Sequence, residues 1–176
     1  MDLGSALSLI RPIPDYPKPG ILFQDITPLL SSAPAFKSVI SAISSLDSQS
    51  QIAVGIEARG FILASAVAIE REIGFVPIRK KGKLPAATFS QSYDLEYGVD
   101  EIHIHRDAFI AGTKVTLIDD VLATGGTLEA SIALIQEAGG ILSSIVVLLE
   151  IEPLGGRARI SHLAPGVPIH SLVKVQ

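Results

Sequence analysis

The sequence predicts an α/β fold: a mostly parallel sheet flanked by helices. Short apolar runs that suit buried strands alternate with segments of helical periodicity, and three of those runs end in polar or glycine-rich turns. In open parallel sheets, ligands bind at that end of the strands. In chain order, a proline-rich stretch from Arg11 to Gly20 suits an arm or cap. Over residues 35–46, Phe36, Val39, Ile40 and Ile43 recur at helical spacing, and Ser31, Ser32 and Pro34 before them suit a helix start. Residues 52–56, within QIAVGIEARGF, read as a buried strand ending in a polar turn. FILASAVAIEREIG reads as a helix ending at Gly74, and FVPIRKKGK as a second strand running into a basic loop. That is one β-α-β unit. LPAATFSQSYDLEYGVDEIHIHRDA has turn residues at Tyr97 and Gly98 and alternates through Glu101, Ile102, His103, Ile104 and His105, so a long loop or hairpin projecting from the core is expected. Residues 114–118 form a further buried strand, 126–138 a helix closed by Gly139 and Gly140, and 141–149 another apolar strand. A short helix and an edge strand at 168–173 complete the chain.

The bulk properties narrow the functional classes. A chain of 176 residues is long enough to bury a core and fits one domain with a short appendage. No stretch reaches the roughly 18 apolar residues of a membrane span. Asp2 stands where a secretion signal would carry basic residues. There are no cysteines, which removes disulfides, cysteine nucleophiles and thiolate metal sites and fits a reducing compartment, so the cytoplasm is expected. With a net charge of −4, the chain has no general attraction for polyanions, and neither nucleic acid nor membrane is expected as a partner.

The chemistry gathers around VTLIDDVLATGGT, residues 115–127. Ala123, Thr124, Gly125, Gly126 and Thr127 offer backbone amides at a helix start, close approach at two glycines, and two hydroxyls, a combination that suits a phosphate dianion. It is not a Walker A loop, since its lysine is absent. Taken alone, the stretch has a second, less favoured reading as a glycine-rich turn with a threonine cap. Asp119 and Asp120 alter that balance, because capping needs only one carboxylate, whereas two can accept sugar hydroxyls or hold a hydrated Mg²⁺ through water. Phosphate plus ribose is the ligand these residues suit. Two cationic turns belong to the same end of the predicted sheet: EARGF with Arg59, and RKKGK with Arg79, Lys80 and Lys83. Arg59 suits an anion but could equally pair with Glu57, and the second turn would by itself read as a solvated face. His103 and His105 have strand spacing and no third ligand nearby, and are assigned nothing.

VTLIDDVLATGGT resembles the 5-phosphoribosyl diphosphate (PRPP) motif of type I phosphoribosyltransferases. Together with PKPGILFQDITPLL, EARGF, IRKKGKLPAAT and SYDLEYGVDEIHIHRDA, in that order and spacing, it resembles the adenine phosphoribosyltransferases over nearly the whole chain. The resemblance implies a type I phosphoribosyltransferase fold, with an N-terminal hood over 1–34 and a core over 35–176 that includes a flexible loop at 82–105. It implies the joining of adenine to PRPP with release of pyrophosphate, a requirement for Mg²⁺, and a homodimer. Residue by residue, it implies that Ala123 to Thr127 hold the 5′-phosphate and that Asp119 and Asp120 engage the ribose hydroxyls. Arg59, Arg79, Lys80 and Lys83 would meet the pyrophosphate. Leu22, Phe23 and Gln24 would meet adenine, and Glu96 would protonate the purine beside Tyr97 under a closing loop. Gln24 departs from the arginine normal to the family, and Phe23 as bare sequence also suits a core. A 6-oxopurine or xanthine transferase and a PRPP-sensing regulator are the alternatives, the latter weakened by the lack of a DNA-binding segment.

Overall fold

The computed structural model describes residues 1–95 and 98–176, without the side-chain surroundings of Asp94, Leu95 and Gly98. The chain divides into two compact units, Met1–Ser45 and Leu46–Gln176. The sequence placed the end of the N-terminal hood at residue 34.

In the N-terminal unit, helix α1 (Leu3–Leu7) begins where the Asp2 carboxylate accepts a hydrogen bond from the Ser5 N–H at 2.9 Å, satisfying one of the amides a helix start leaves open. Strands β1 (Arg11–Pro14) and β2 (Leu22–Asp25) form an antiparallel pair. Two helices follow, α2 (Thr27–Ser31) and α3 (Ala33–Ser44). The helix expected at 35–46 thus starts two residues early, because Pro34 sits in its first turn, where a missing N–H costs nothing. Its buried residues, Ala35, Val39, Ile40 and Ile43, keep helical spacing.

The second unit holds the α/β sheet. Strands β3 (Ile52–Ile56), β4 (Gly74–Lys80), β5 (Thr88–Leu95), β6 (Gly98–His105), β7 (Lys114–Leu122), β8 (Ile141–Ile151) and β9 (Ile169–Val175) stand in the order β5-β6-β4-β3-β7-β8-β9. The five strands from β4 to β9 in that order are mutually parallel, and β6 joins the edge of β4 antiparallel. Helices α4 (Gly60–Arg71), α5 (Gly126–Glu137) and α6 (Gly156–Leu163) make the connections between parallel neighbours. Side chains along β3 alternate between the two faces of the sheet. Val54 and Ile56 share a core with Leu128, Leu134 and Ile135 of α5 and Ile160 of α6. Gly55, facing the other way, meets α4: a Cβ there would lie 2.5 Å from the Ala64 Cβ.

Three differences from the sequence reading bear on the site. β7 runs to Leu122 rather than stopping at residue 118, because it pairs onward with β8, Val121 opposite Leu149 and Leu122 opposite Glu150. Both aspartates therefore sit on a strand and not after it. α4 stops at Arg71, with Glu72 in the left-handed conformation at φ 55°, and Gly74 opens β4 instead of closing the helix. Residues 88–95 and 98–105 extend the sheet as the antiparallel pair β5 and β6, with Phe89 and Tyr93 packed on the main core. Among the described residues, no helix is long and apolar enough to cross a membrane.

Candidate active site

Because β4, β3 and β7 are neighbours in the sheet, the turns that follow them come together at one edge. The turn after β3 carries Glu57 and Arg59, β4 ends at Lys80 with Lys83 in the turn that follows, and the turn after β7 is the loop from Ala123 to Gly125.

The two acids of β7 are buried, each with 7% of its surface exposed. Asp119 Oδ1 accepts the Asp120 N–H at 2.9 Å, and Arg59, at the start of α4, brings Nη2 within 2.6 Å of Asp120 Oδ2. Burial, and then the neighbouring charge of Asp120, push the Asp119 carboxyl well above the ordinary carboxylate range. Burial raises Asp120 as well, and the Arg59 guanidinium opposes it. Such a pair is expensive to keep ionised without a ligand, as functional sites often are.

The Arg59 partner is thus Asp120. Glu57, the partner considered for it from sequence, is taken by Arg79, whose Nε and Nη2 donate to the two carboxylate oxygens at 3.1 and 3.0 Å, and by the Lys80 N–H at 3.0 Å. The Arg79 hydrogen bond holds the Glu57 carboxyl below its usual range. Lys80 Nζ lies 2.9 Å from Asp100 Oδ2, which also accepts the Tyr93 hydroxyl at 3.1 Å. Lys83 is exposed, its N–H donating to the Lys80 carbonyl at 3.2 Å.

After β7, Gly125 takes φ 88° and α5 begins at Gly126. The first amides of that helix have no partner within it, and a cavity of about 60 Å³ opens there, lined by Val121 through Thr127 and Leu128. Such a cavity suits an anion, and the two carboxylates of β7 precede its lining in the chain. Gly60 of α4 lies tight against β7: a Cβ there would fall 2.5 Å from Asp119 Oδ1 and 2.8 Å from the Ile118 carbonyl. Sequence reasoning passed over Gly60, although it stands inside EARGF.

Leu22, Phe23 and Gln24 lie on β2 in the N-terminal unit, opposite Pro14, Ile13 and Pro12 of β1. Leu22 is half exposed, and Phe23 stacks edge to face on Tyr16 with ring centroids 5.1 Å apart. Glu96 and Tyr97 lie outside the described residues. His103 Nδ1 sits 3.0 Å from Thr88 Oγ1 across the β5–β6 pair, and no group of three His, Asp or Glu side chains placed to hold a metal occurs among the described residues.

Known proteins resemble this chain in sequence and in fold. Residues 29–163 match the phosphoribosyl transferase domain. An adenine phosphoribosyltransferase of Streptomyces avermitilis is 49% identical over 171 residues, 96% of this chain and 94% of that one. The chain belongs to the adenine phosphoribosyltransferase family. A second member, from Parvibaculum lavamentivorans, is 53% identical over 156 residues, 88% of this chain and 89% of its own. Among solved structures, the adenine phosphoribosyltransferase of Thermoanaerobacter pseudethanolicus superposes with a TM-score of 0.92 at 44% identity, covering 98% of this chain and 99% of that one. The Giardia lamblia enzyme, solved with 9-deazaadenine, has a TM-score of 0.92 at 37% identity and covers 100% of this chain and 99% of its own. The type I phosphoribosyltransferase fold and transferase class of this adenine phosphoribosyltransferase family therefore apply to the chain.

Proposed function

We propose that the chain transfers the 5-phosphoribosyl group of PRPP to adenine, forming AMP and releasing pyrophosphate. The observation that carries this reading is the pair of buried carboxylates, Asp119 and Asp120, at the end of β7 just before the Ala123–Thr127 loop, with Arg59 facing Asp120. The nest takes the 5′-phosphate through backbone amides and the hydroxyls of Thr124 and Thr127. The two carboxylates accept the ribose 2′- and 3′-hydroxyls, which repays their burial. Arg59 then exchanges Asp120 for the leaving diphosphate, helped by Lys80 and Lys83, while Arg79, tied to Glu57, lends charge from behind. In the reaction the bond from C1′ to the diphosphate oxygen breaks, a bond from C1′ to the purine nitrogen forms, and the purine loses a proton. Glu96 manages that proton on the purine, with Tyr97 beside it.

Mg²⁺ fits the donor set. It takes one or two carboxylates, keeps several waters and otherwise binds substrate phosphates, so an all-protein cage is not needed. Asp120 Oδ2 is buried and accepts no directed hydrogen bond, and Asp119 and Asp120 would hold the ion through water. Its chemistry would be to neutralise the charge of the diphosphate.

Leu22, Phe23 and Gln24 recognise the base, chiefly through the backbone of β2. Adenine and the 6-oxopurines reverse donor and acceptor on one edge, and two mismatched buried groups discriminate by roughly a hundredfold or more. The same reading includes a homodimer working in the cytoplasm. The test is turnover with PRPP, Mg²⁺ and each purine in turn. Adenine should exceed hypoxanthine and guanine by at least about two orders of magnitude in kcat/KM. Comparable efficiencies would overturn the assignment.

A further inference from the structure

The start of α6, in a segment given no role so far, lies directly against the phosphate loop. The Gly156 N–H donates to the Ala123 carbonyl at 3.1 Å. A Cβ at Gly156 would stand 2.2 Å from that oxygen and 3.0 Å from the Gly125 nitrogen, so the two backbones approach as closely as they do only because neither carries a side chain there. One turn further on, Arg159 reaches two points of the same junction. Its Nε donates to Glu129 Oε2 at 2.5 Å and its Nη1 to the Thr124 carbonyl at 3.5 Å. Glu129 stands in the first turn of α5, and its own N–H binds the Gly125 carbonyl at 2.9 Å. A carboxylate in that turn suits the helix dipole, but it also competes with any dianion held at the helix start.

We propose that Arg159 is a positioning residue for the 5′-phosphate, acting on the loop from α6 rather than by touching the ligand. It holds the Thr124 carbonyl, and it cancels the Glu129 charge that would otherwise repel the phosphate one turn away. Glu129 stays where it caps the helix electrostatically, and Arg159 makes that compatible with an anion in the nest. The pair is partly exposed, with 48% of the Arg159 side chain and 38% of the Glu129 side chain open to solvent, which limits the effect to about fivefold in affinity. The inference rests on the functional reading above, since it takes the nest as the 5′-phosphate site.

Equilibrium binding of AMP and of inorganic pyrophosphate to the full chain, to Arg159→Gln and to Arg159→Gln/Glu129→Gln tests it. Arg159→Gln should weaken AMP about fivefold at low salt and less at about 1 M salt, where charges more than about 3 Å apart are screened. Pyrophosphate affinity should be unchanged, KM for PRPP should rise, and kcat should hardly move. The double variant should regain most of the lost AMP affinity, which a purely structural role of Arg159 would not allow. Unchanged AMP affinity in Arg159→Gln, equal losses for both ligands, or a double variant no better than the single one would each overturn the proposal. Should the parent chain bind neither AMP nor pyrophosphate, the functional reading falls and takes this proposal with it, whereas normal binding by the parent ties any of those three results to Arg159 alone.

Discussion

Gly60→Ala adds one methyl group at a tight contact between α4 and β7. The new Cβ would sit 2.5 Å from Asp119 Oδ1, 2.7 Å from Asp119 Cα and 2.8 Å from the Ile118 carbonyl oxygen. Carbon atoms rest at about 3.5–4.0 Å, so the first turn of α4 has to withdraw from β7 by roughly 1 Å. Two of the three obstacles are backbone atoms, so a rotamer change at Asp119 cannot relieve the overlap. Two terms oppose each other in stability. Alanine is favoured over glycine within a helix by about 1 kcal/mol, and overpacking costs about 1–3 kcal/mol. The net is a loss of between zero and about 2 kcal/mol, at most about 4–8 °C in melting temperature for a chain of this length. Activity is more exposed, because the same withdrawal carries Arg59, the residue before Gly60, away from Asp120. A displacement of about 1 Å in a positioned group costs up to about a hundredfold in rate, so kcat/KM for PRPP should fall between about tenfold and a hundredfold. Steady-state kinetics alongside a thermal melt measure both. A folded Gly60→Ala variant within about threefold of the parent in kcat/KM would refute the reasoning, because it would show that the contact between α4 and β7 does not set the site.

Two further outcomes follow from the carboxylates. Asp119 has its carboxyl raised by burial, so its neutral form is favoured in the fold, and the resulting stability is present at low pH and lost as pH rises through the raised value. Asp119→Asn should therefore raise the melting temperature of the ligand-free protein at neutral pH by about 2–4 °C per kcal/mol recovered, with the gain shrinking as pH falls towards the ordinary Asp value. Together with Asp120→Asn it should lower turnover at least about tenfold. A lower melting temperature at neutral pH, or normal turnover in the double variant, would contradict this account. Asp25 is the opposite case: hydrogen bonds from the Thr27 side chain and N–H, and then from Arg11, hold its carboxyl down at about 2. Its contribution is present above the ordinary Asp value and is lost as pH falls towards about 2. Asp25→Asn should thus destabilise the N-terminal unit at neutral pH but not near pH 2, and an NMR titration midpoint for Asp25 close to 3.8 would exclude the explanation.

Much of the proposed phosphate site is legible in the sequence because it is local. Gly125 and Gly126 lie within one five-residue turn, the amides they expose belong to the helix that begins there, and no distant residue is needed to recognise the nest. The alternation of strands and helices is legible for a similar reason: apolar spacing reports which face of each segment is buried. β7 is harder, because whether it ends at residue 118 or at Leu122 depends on β8 continuing beside it. Propensity alone does not extend a strand through two acids.

The sequence by itself determined an α/β chain with a glycine-rich loop at a helix start, two adjacent carboxylates before it and a set of cationic turns. Tertiary structure alone decided which charge meets which. Arg59 faces Asp120 although the two are far apart along the chain, and Arg79, not Arg59, takes Glu57, because β3 stands between β4 and β7 in the sheet. Arg159 reaches Glu129 because α6 starts against the loop that begins α5. Ion pairing falls off with distance in space and not along the chain, so partners are set by strand order and helix placement, which are products of the whole core. Burial, which raises Asp119 and makes the site costly without a ligand, is likewise a property of the packed sheet and of no residue in it.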